Sequence, residues 1–170
     1  GKSRYAQALA RSLSAEPWYV ATSRAWDDDH RARIERHRTE RGRAFHTVEA
    51  ELDLCSVPLA GKVAVIDCVT LWLSNLIADY QGDVERCRNF AERQLDGLVA
   101  RRDATLLIVS NELGQSLHAP TELGRKFVDL QGLVNQYIAE RADAVVLLVA
   151  GIPLYVKGAA PNPGPGEPQR

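Results

Sequence analysis

Hydrophobic residues along the chain follow two patterns, short continuous runs and positions spaced three and four residues apart. The continuous runs predict buried strands at residues 18–22, 63–67, 105–110 and 144–150. The spaced positions predict helices from the start of the chain to near residue 14 and over residues 70–80, 84–101 and 121–141. Buried strands that alternate with helices are typical of a parallel sheet covered on both faces. We therefore predict an α/β fold with a mostly parallel sheet and helices on both faces.

An arginine-rich helix, a last strand and a proline-rich tail complete this prediction. The acidic run from Asp27 to Asp29 is suited to cap a helix through about Arg38, which has little apolar face and therefore lies mostly in solvent. Residues 154–157 predict an edge strand. Residues 158–170 contain four prolines and three glycines, which is typical of disorder. We expect one domain over residues 1–157 and a disordered tail over residues 158–170.

Composition and charge argue against several classes of function. The chain has 170 residues, of which 45% are hydrophobic and 25% charged, as in one ordinary soluble domain. Its formal net charge of −1 argues against a general nucleic-acid or membrane-surface binder. Cys55, Cys68 and Cys87 lack CxxC spacing and a neighbouring histidine pair, so we expect neither a zinc site nor paired disulfides. No apolar run approaches the roughly 18 residues of a membrane helix, and we expect a cytoplasmic protein.

The first three residues, Gly1, Lys2 and Ser3, match the second half of the phosphate-binding motif G-x-x-x-x-G-K-[ST]. In that motif, backbone amides and a helix N-terminus hold phosphates. Lys2 would then bridge phosphates and Ser3 would ligate Mg²⁺. Three residues alone are a weak motif, but the helix and the parallel-sheet pattern strengthen it. The chain has no methionine and begins inside the motif, so we expect that the first glycine and the preceding strand are missing.

Asp67 ends the apolar run at residues 63–67 and precedes a predicted helix. An acid at the end of a buried strand is suited to hold Mg²⁺ beside nucleotide phosphates, directly or through water. The same position is suited to an N-cap of the following helix, and the two roles are compatible.

His37 differs from the other three histidines because arginines surround it on its predicted helix. Arg33 and Arg41 lie one helical turn to either side of it. Like charges disfavour the imidazolium form, so a neutral, nucleophilic ring is favoured while the guanidinium groups hold phosphates. The alternative is an arginine-rich surface helix on which His37 has no catalytic role.

Several motifs in order along the chain resemble one family, the bifunctional adenosylcobinamide kinase/adenosylcobinamide-phosphate guanylyltransferases of cobalamin biosynthesis. The matching segments extend from Gly1 to about Lys157. They are G-K-S-R-Y-A at 1–6, Y-V-A-T-S at 19–23, D-D-D-H-R-A-R-I-E-R-H-R at 27–38, T-V-E at 47–49, D-C-V-T-L-W-L-S-N-L at 67–76, S-N-E-L-G at 110–114, R-K-F-V-D-L-Q-G-L-V-N-Q at 125–136 and A-G-I-P-L-Y-V-K at 150–157.

The resemblance implies a RecA-like P-loop fold, here without its first strand, and two reactions on one substrate. The first is phosphorylation of the aminopropanol hydroxyl of adenosylcobinamide by ATP or GTP. In the second, a histidine takes GMP from GTP and passes it to adenosylcobinamide phosphate, which gives adenosylcobinamide-GDP. The family's guanylylated histidine corresponds to His37. The resemblance also suggests a homo-oligomer, a trimer.

The family's nucleotide contacts correspond to a set of residues near the predicted strand ends and the histidine helix: Gly1, Lys2, Ser3, Arg4, Thr22, Ser23, Arg24, Arg41, Glu49 and Asp67. Residues 110–114 correspond to the cobinamide side. Two other functions remain open from the residues alone. One is a monofunctional P-loop kinase for a small metabolite, and the other is a non-catalytic nucleotide-binding module.

Overall fold

The computed structural model describes residues 1–25, 28, 32, 44–115 and 119–159. Its centre is a sheet of four parallel strands, in the order β2-β1-β3-β4. These strands are β1 (Trp18–Ala21), β2 (His46–Glu49), β3 (Val63–Asp67) and β4 (Thr105–Val109). Since all four run in one direction, their carboxyl ends lie along one edge of the sheet.

Helices cover both faces of this sheet. They are α1 (Lys2–Leu13), α2 (Val69–Asp79), α3 (Val84–Val99) and α4 (Glu122–Arg141). Alternate residues of β3 point to opposite faces, as the two-residue period of a strand requires. Ala64 and Ile66 pack in the larger core, which contains the fully buried Trp72 of α2. Val65 packs on the other face in a smaller core with Ala6 and Ala10 of α1.

The last two strands form a separate antiparallel hairpin, with β5 (Val145–Val149) paired to β6 (Ile152–Lys157). Its two-residue turn has Ala150 at φ 51° and Gly151 at φ 84°, and positive φ at both positions is what such a turn needs. One face of the hairpin carries large exposed apolar side chains: Leu147, Val149, Ile152, Leu154 and Val156. Lys157 ties the hairpin to the end of α4, because its Nζ donates to two carbonyl oxygens there.

The structure confirms the predicted fold class, and the helices lie within about two residues of their predicted bounds. Three features differ. The strand β2 and a short 3-10 helix, Leu54–Ser56, had no prediction, and the apolar run at residues 144–150 pairs with β6 and not with the parallel sheet. The helix predicted through Arg38 lies outside the described residues apart from Asp28 and Ala32, and residues 160–170 lie outside them as well. No helix in the described part of the chain is long and apolar enough to cross a membrane.

Candidate functional site

The carboxyl ends of β1, β3 and β4 bring three segments of the chain together. In the sheet register, Ala21 pairs with Asp67, and Asp67 pairs with Val109. The residues that follow these three positions therefore start side by side. Ligands of open α/β sheets bind outside the carboxyl ends of the strands, so this edge is the candidate site.

Asp67 is half-buried at this edge, and a neighbouring strand fixes its side chain. The Tyr19 hydroxyl donates to Oδ2 of Asp67 at 2.8 Å. The helix α2 begins at Val69 with Cys68 as its N-cap, and the N-cap makes no side-chain capping hydrogen bond. Asp67 is thus not an N-cap in the structure, and its carboxylate remains at the sheet edge.

Lys2 and Ser3 form the first turn of α1, which begins after Gly1 as the G-K-S interpretation predicts. The helix packs on β3 and β4. Burial raises the pKa of the Cys68 thiol, and the positive charge of Lys2 partly opposes this shift. Cys68 also packs in the smaller core with Ala6 and Ala10, so α1 lies beside the segment that begins with Asp67.

Gly1 lies against the hairpin turn, where a larger residue does not fit. A Cβ added to Gly1 would come within 2.9 Å of the Gly151 Cα, which is closer than real Cβ contacts allow. The Arg4 guanidinium is also next to this turn, 3.6 Å from the position that a Cβ of Gly151 would take. The start of α1 is consequently held between the parallel sheet and the hairpin.

Thr22 follows β1 and is completely buried. Its Oγ1 donates to the carbonyl oxygen of Cys68 at 2.8 Å, and its own carbonyl oxygen accepts from Asn75 Nδ2 at 2.8 Å. Asn75 Nδ2 also donates to the carbonyl oxygen of Glu51 at 3.0 Å. These bonds join the segments after β1, β2 and β3, and they hold the backbone of the site in one arrangement.

Arg24 comes next and binds two carboxylates. Its Nε donates to Glu51 at 2.6 Å and its Nη1 donates to Asp79 at 2.7 Å. The contact with Arg24 lowers the pKa of Asp79, and hydrogen bonds to Asp79 and Glu51 raise the pKa of Arg24 above its usual value. Of the other predicted nucleotide contacts, Ser23 is half-buried beside Arg24 and Glu49 is exposed at the end of β2.

His37 and Arg41 lie outside the described residues, so their predicted roles stay predictions. The structure therefore brings Gly1, Lys2, Asp67 and the turn after β1 to one edge of the sheet, without a placement for the histidine.

A network of neutral polar side chains at the end of β4 was not predicted. Gln131 Nε2 donates to Ser110 Oγ at 2.9 Å and to Asn135 Oδ1 at 3.0 Å. Asn135 Nδ2 donates to the carbonyl oxygen of Asn111, and Asn111 Nδ2 donates to Thr70 Oγ1, both within 2.9 Å. The signal was the pair of amides four residues apart on α4, which places them on one helix face. The network fixes the segment after β4 against the start of α2.

Two cavities in the described part of the chain are not formed by these predicted residues. One of about 320 Å³ lies between α2 and α4, next to Ser74 and Phe127, and one of about 460 Å³ lies beside the start of α3, next to Arg86.

Within the described ranges, no three His, Cys, Asp or Glu residues cluster as a metal site. Mg²⁺ is usually held by one or two carboxylates together with substrate phosphates, so Asp67 and the Ser3 hydroxyl fit that ion without such a cluster.

Comparison with known proteins identifies a family. The model of the CobU family, described as cobinamide kinase / cobinamide phosphate guanyltransferase, matches residues 1–156. The chain is 37% identical to the bifunctional adenosylcobalamin biosynthesis protein CobP of Pseudomonas aeruginosa over 162 residues, covering 93% of this chain and 92% of the relative. It is 36% identical to the bifunctional adenosylcobalamin biosynthesis protein CobU of Escherichia coli over 171 residues, covering 92% and 94%. The CobU protein of Salmonella typhimurium is similar to the same extent.

Proposed function

The chain belongs to the cobinamide kinase / cobinamide phosphate guanyltransferase family, and we propose that it carries out both reactions on adenosylcobinamide with nucleotides bound at the carboxyl edge of the sheet. It phosphorylates the substrate hydroxyl with ATP or GTP and then transfers GMP from GTP to the phosphate so formed. The observation that carries this placement is the convergence of the first turn of α1 with Asp67.

The phosphates of the nucleotide lie at the N-terminus of α1. The backbone amides of Gly1 to Arg4 and the helix dipole favour negative charge there, and the Lys2 ammonium bridges the transferred phosphate. Asp67 and Ser3 would hold Mg²⁺, which neutralises phosphate charge when it is bound. Positioning and charge neutralisation supply most of the catalysis of phosphoryl transfer, and these residues provide both.

The guanylyl transfer proceeds through His37. A neutral ring nitrogen of His37 attacks the α-phosphorus of GTP, so that an N–P bond forms as the bond to pyrophosphate breaks. A phosphate oxygen of adenosylcobinamide phosphate then attacks the same phosphorus and releases His37. The arginines near His37, Arg41 among them, stabilise the charge that builds in each step.

The remaining nucleotide contacts come from the ends of β1 and β2. Ser23, Arg24 and Glu49 contact the nucleotide, while the buried Thr22 hydroxyl shapes the turn that presents them. Since Arg24 is bound to Glu51 and Asp79, we expect a nucleotide phosphate to compete with these carboxylates for its guanidinium group.

The protein assembles as a homo-oligomer, a trimer, in the cytoplasm. The apolar outer face of the hairpin supports self-association, because monomeric proteins rarely expose large contiguous apolar patches. The three free cysteines support a reducing compartment. Light scattering after size exclusion tests the oligomer, and a monomer at micromolar concentration would contradict it.

Covalent labelling tests the function most directly. The natural full-length protein is incubated with GTP labelled at the α-phosphate, and the acid-labile GMP adduct is located by mass spectrometry. His37→Ala abolishes the adduct and spares phosphorylation of cobinamide. His46→Ala is the matched control, since the exposed His46 ring lies against Trp18 in the sheet, with ring centroids 4.1 Å apart and planes tilted by 46°. Labelling that persists in His37→Ala would remove His37 from the reaction.

A further inference from the structure

We propose that Tyr19 is a positioning residue that orients the Asp67 carboxylate for Mg²⁺, an inference that rests on the proposed role of Asp67. Its hydroxyl donates to Oδ2 of Asp67 at 2.8 Å. Among the described residues this is the only hydrogen bond to the Asp67 side chain, so Oδ1 would be the oxygen that ligates Mg²⁺.

The strand register explains how the two side chains meet. Tyr19 pairs with Val65 and Ala21 pairs with Asp67 on adjacent strands. Tyr19 and Asp67 are consequently diagonal neighbours on the same face, a separation that a long aromatic side chain spans. The contact therefore follows from the backbone of the sheet.

Packing holds the Tyr19 ring in place. The residue is 5% exposed, and its ring meets the Phe45 ring edge-on, with centroids 5.9 Å apart and planes at 79°. It belongs to the small core with Ala6 and Ala10 of α1. One buried phenol thus lies under the helix that begins with Lys2 and Ser3 and also holds Asp67.

This arrangement matters for metal binding because a carboxylate with a fixed orientation loses less freedom when it ligates an ion. Hydrogen-bond partners of ligating groups typically change metal affinity by about 10- to 100-fold when they are removed. Tyr19→Phe keeps the buried ring and removes only the donor. We expect the gain in GTP affinity that Mg²⁺ provides to fall about tenfold, while the affinity without Mg²⁺ stays unchanged.

The chain offers a matched control. The Tyr137 hydroxyl donates to Asp96 at 2.7 Å between α4 and α3, away from the candidate site. Tyr137→Phe makes the same chemical change and loses the same kind of bond. It should leave the Mg²⁺ dependence of GTP affinity unaltered.

The experiment measures GTP affinity with and without Mg²⁺ for the natural full-length protein, Tyr19→Phe, Tyr137→Phe, Asp67→Ala and the double variant Tyr19→Phe/Asp67→Ala. In kinase assays, Tyr19→Phe raises the KM for Mg²⁺ and retains most of kcat at saturating Mg²⁺. The double variant should match Asp67→Ala. If Asp67→Ala loses the Mg²⁺ effect but Tyr19→Phe keeps it, Tyr19 has no positioning role. If Asp67→Ala keeps it, the metal role of Asp67 fails, and the positioning role fails with it.

Discussion

Asn75→Ala should destabilise the protein more than any exposed asparagine substitution. Asn75 is fully buried on α2, and its Nδ2 donates to the carbonyl oxygens of Thr22 and Glu51 at 2.8 and 3.0 Å. Alanine removes both bonds and leaves two backbone acceptors without this donor. Each such bond contributes about 0.5–1.5 kcal/mol, and a buried group left without its partner costs somewhat more.

The magnitude follows from these bonds. Two lost bonds give about 2–3 kcal/mol, and removal of the buried Asn75 Oδ1, which has no partner among the described residues, offsets a small part. With a urea slope of about 2 kcal/mol/M, the unfolding midpoint falls by about 1 M. Because the same bonds hold the turn after β1 next to Asp67, nucleotide affinity should fall as well.

Urea unfolding followed by tryptophan fluorescence measures the loss. Asn89→Ala is the matched control, since Asn89 is exposed on α3 and the change there should stay within about 0.5 kcal/mol. If Asn75→Ala also stays within 0.5 kcal/mol of the parent protein, the bonds to Thr22 and Glu51 do not hold the site together.

Three further predictions concern charge and thiol chemistry. Lys2→Ala in the natural full-length protein should lower the kinase and guanylyltransferase activities by at least about tenfold, and Lys126→Ala is the exposed control. Unchanged phosphorylation in Lys2→Ala would exclude the assignment of Lys2 to a phosphate site. Arg24→Gln should raise the pKa of Asp79 toward its usual value, as measured by NMR titration. The folded-state pKa of Asp79 is lowered, so the stability that the Arg24–Asp79 pair contributes is present above the usual carboxyl pKa and is lost as pH falls through the folded-state pKa. An Asp79 pKa that is the same in Arg24→Gln as in the parent protein would contradict the pairing. Burial raises the pKa of Cys87 to about 11, so Cys87 should not react with Ellman's reagent at pH 8 until the protein unfolds, and rapid labelling of the folded protein would refute this.

The sequence predicted the elements with strong periodicity and missed those held by distant partners. The start of α1 at Lys2 and the strand end at Asp67 follow from local pattern. The strand β2 has the sequence His-Thr-Val-Glu and no apolar run, so only its pairing with β1 defines it. Pairing with distant residues decides such short polar strands.

The candidate site shows the same difference between residues with a local sequence signal and residues defined by distant partners. The G-K-S motif and the acid at the end of β3 were predicted as site residues because each is a local signal with its own chemistry. The two partners of Arg24, Glu51 and Asp79, are 27 and 55 residues away along the chain, and nothing in the sequence pairs them. The bond between Tyr19 and Asp67 depends on strand register, which hydrophobic pattern alone does not give.

The alternation of side chains along β3 makes the spacing before Asp67 intolerant of a change in length. One residue inserted after Ile66 would put another side chain at the position that pairs with Ala21, and it would move the carboxylate one residue beyond that position, away from the Tyr19 hydroxyl. Such an insertion would remove the hydrogen bond that holds the carboxylate and shift the carboxylate relative to the first turn of α1 in a single event. An insertion in the loop that follows Asp79 would disturb neither. We therefore expect the protein to tolerate a longer connection after Asp79 but not an additional residue within β3.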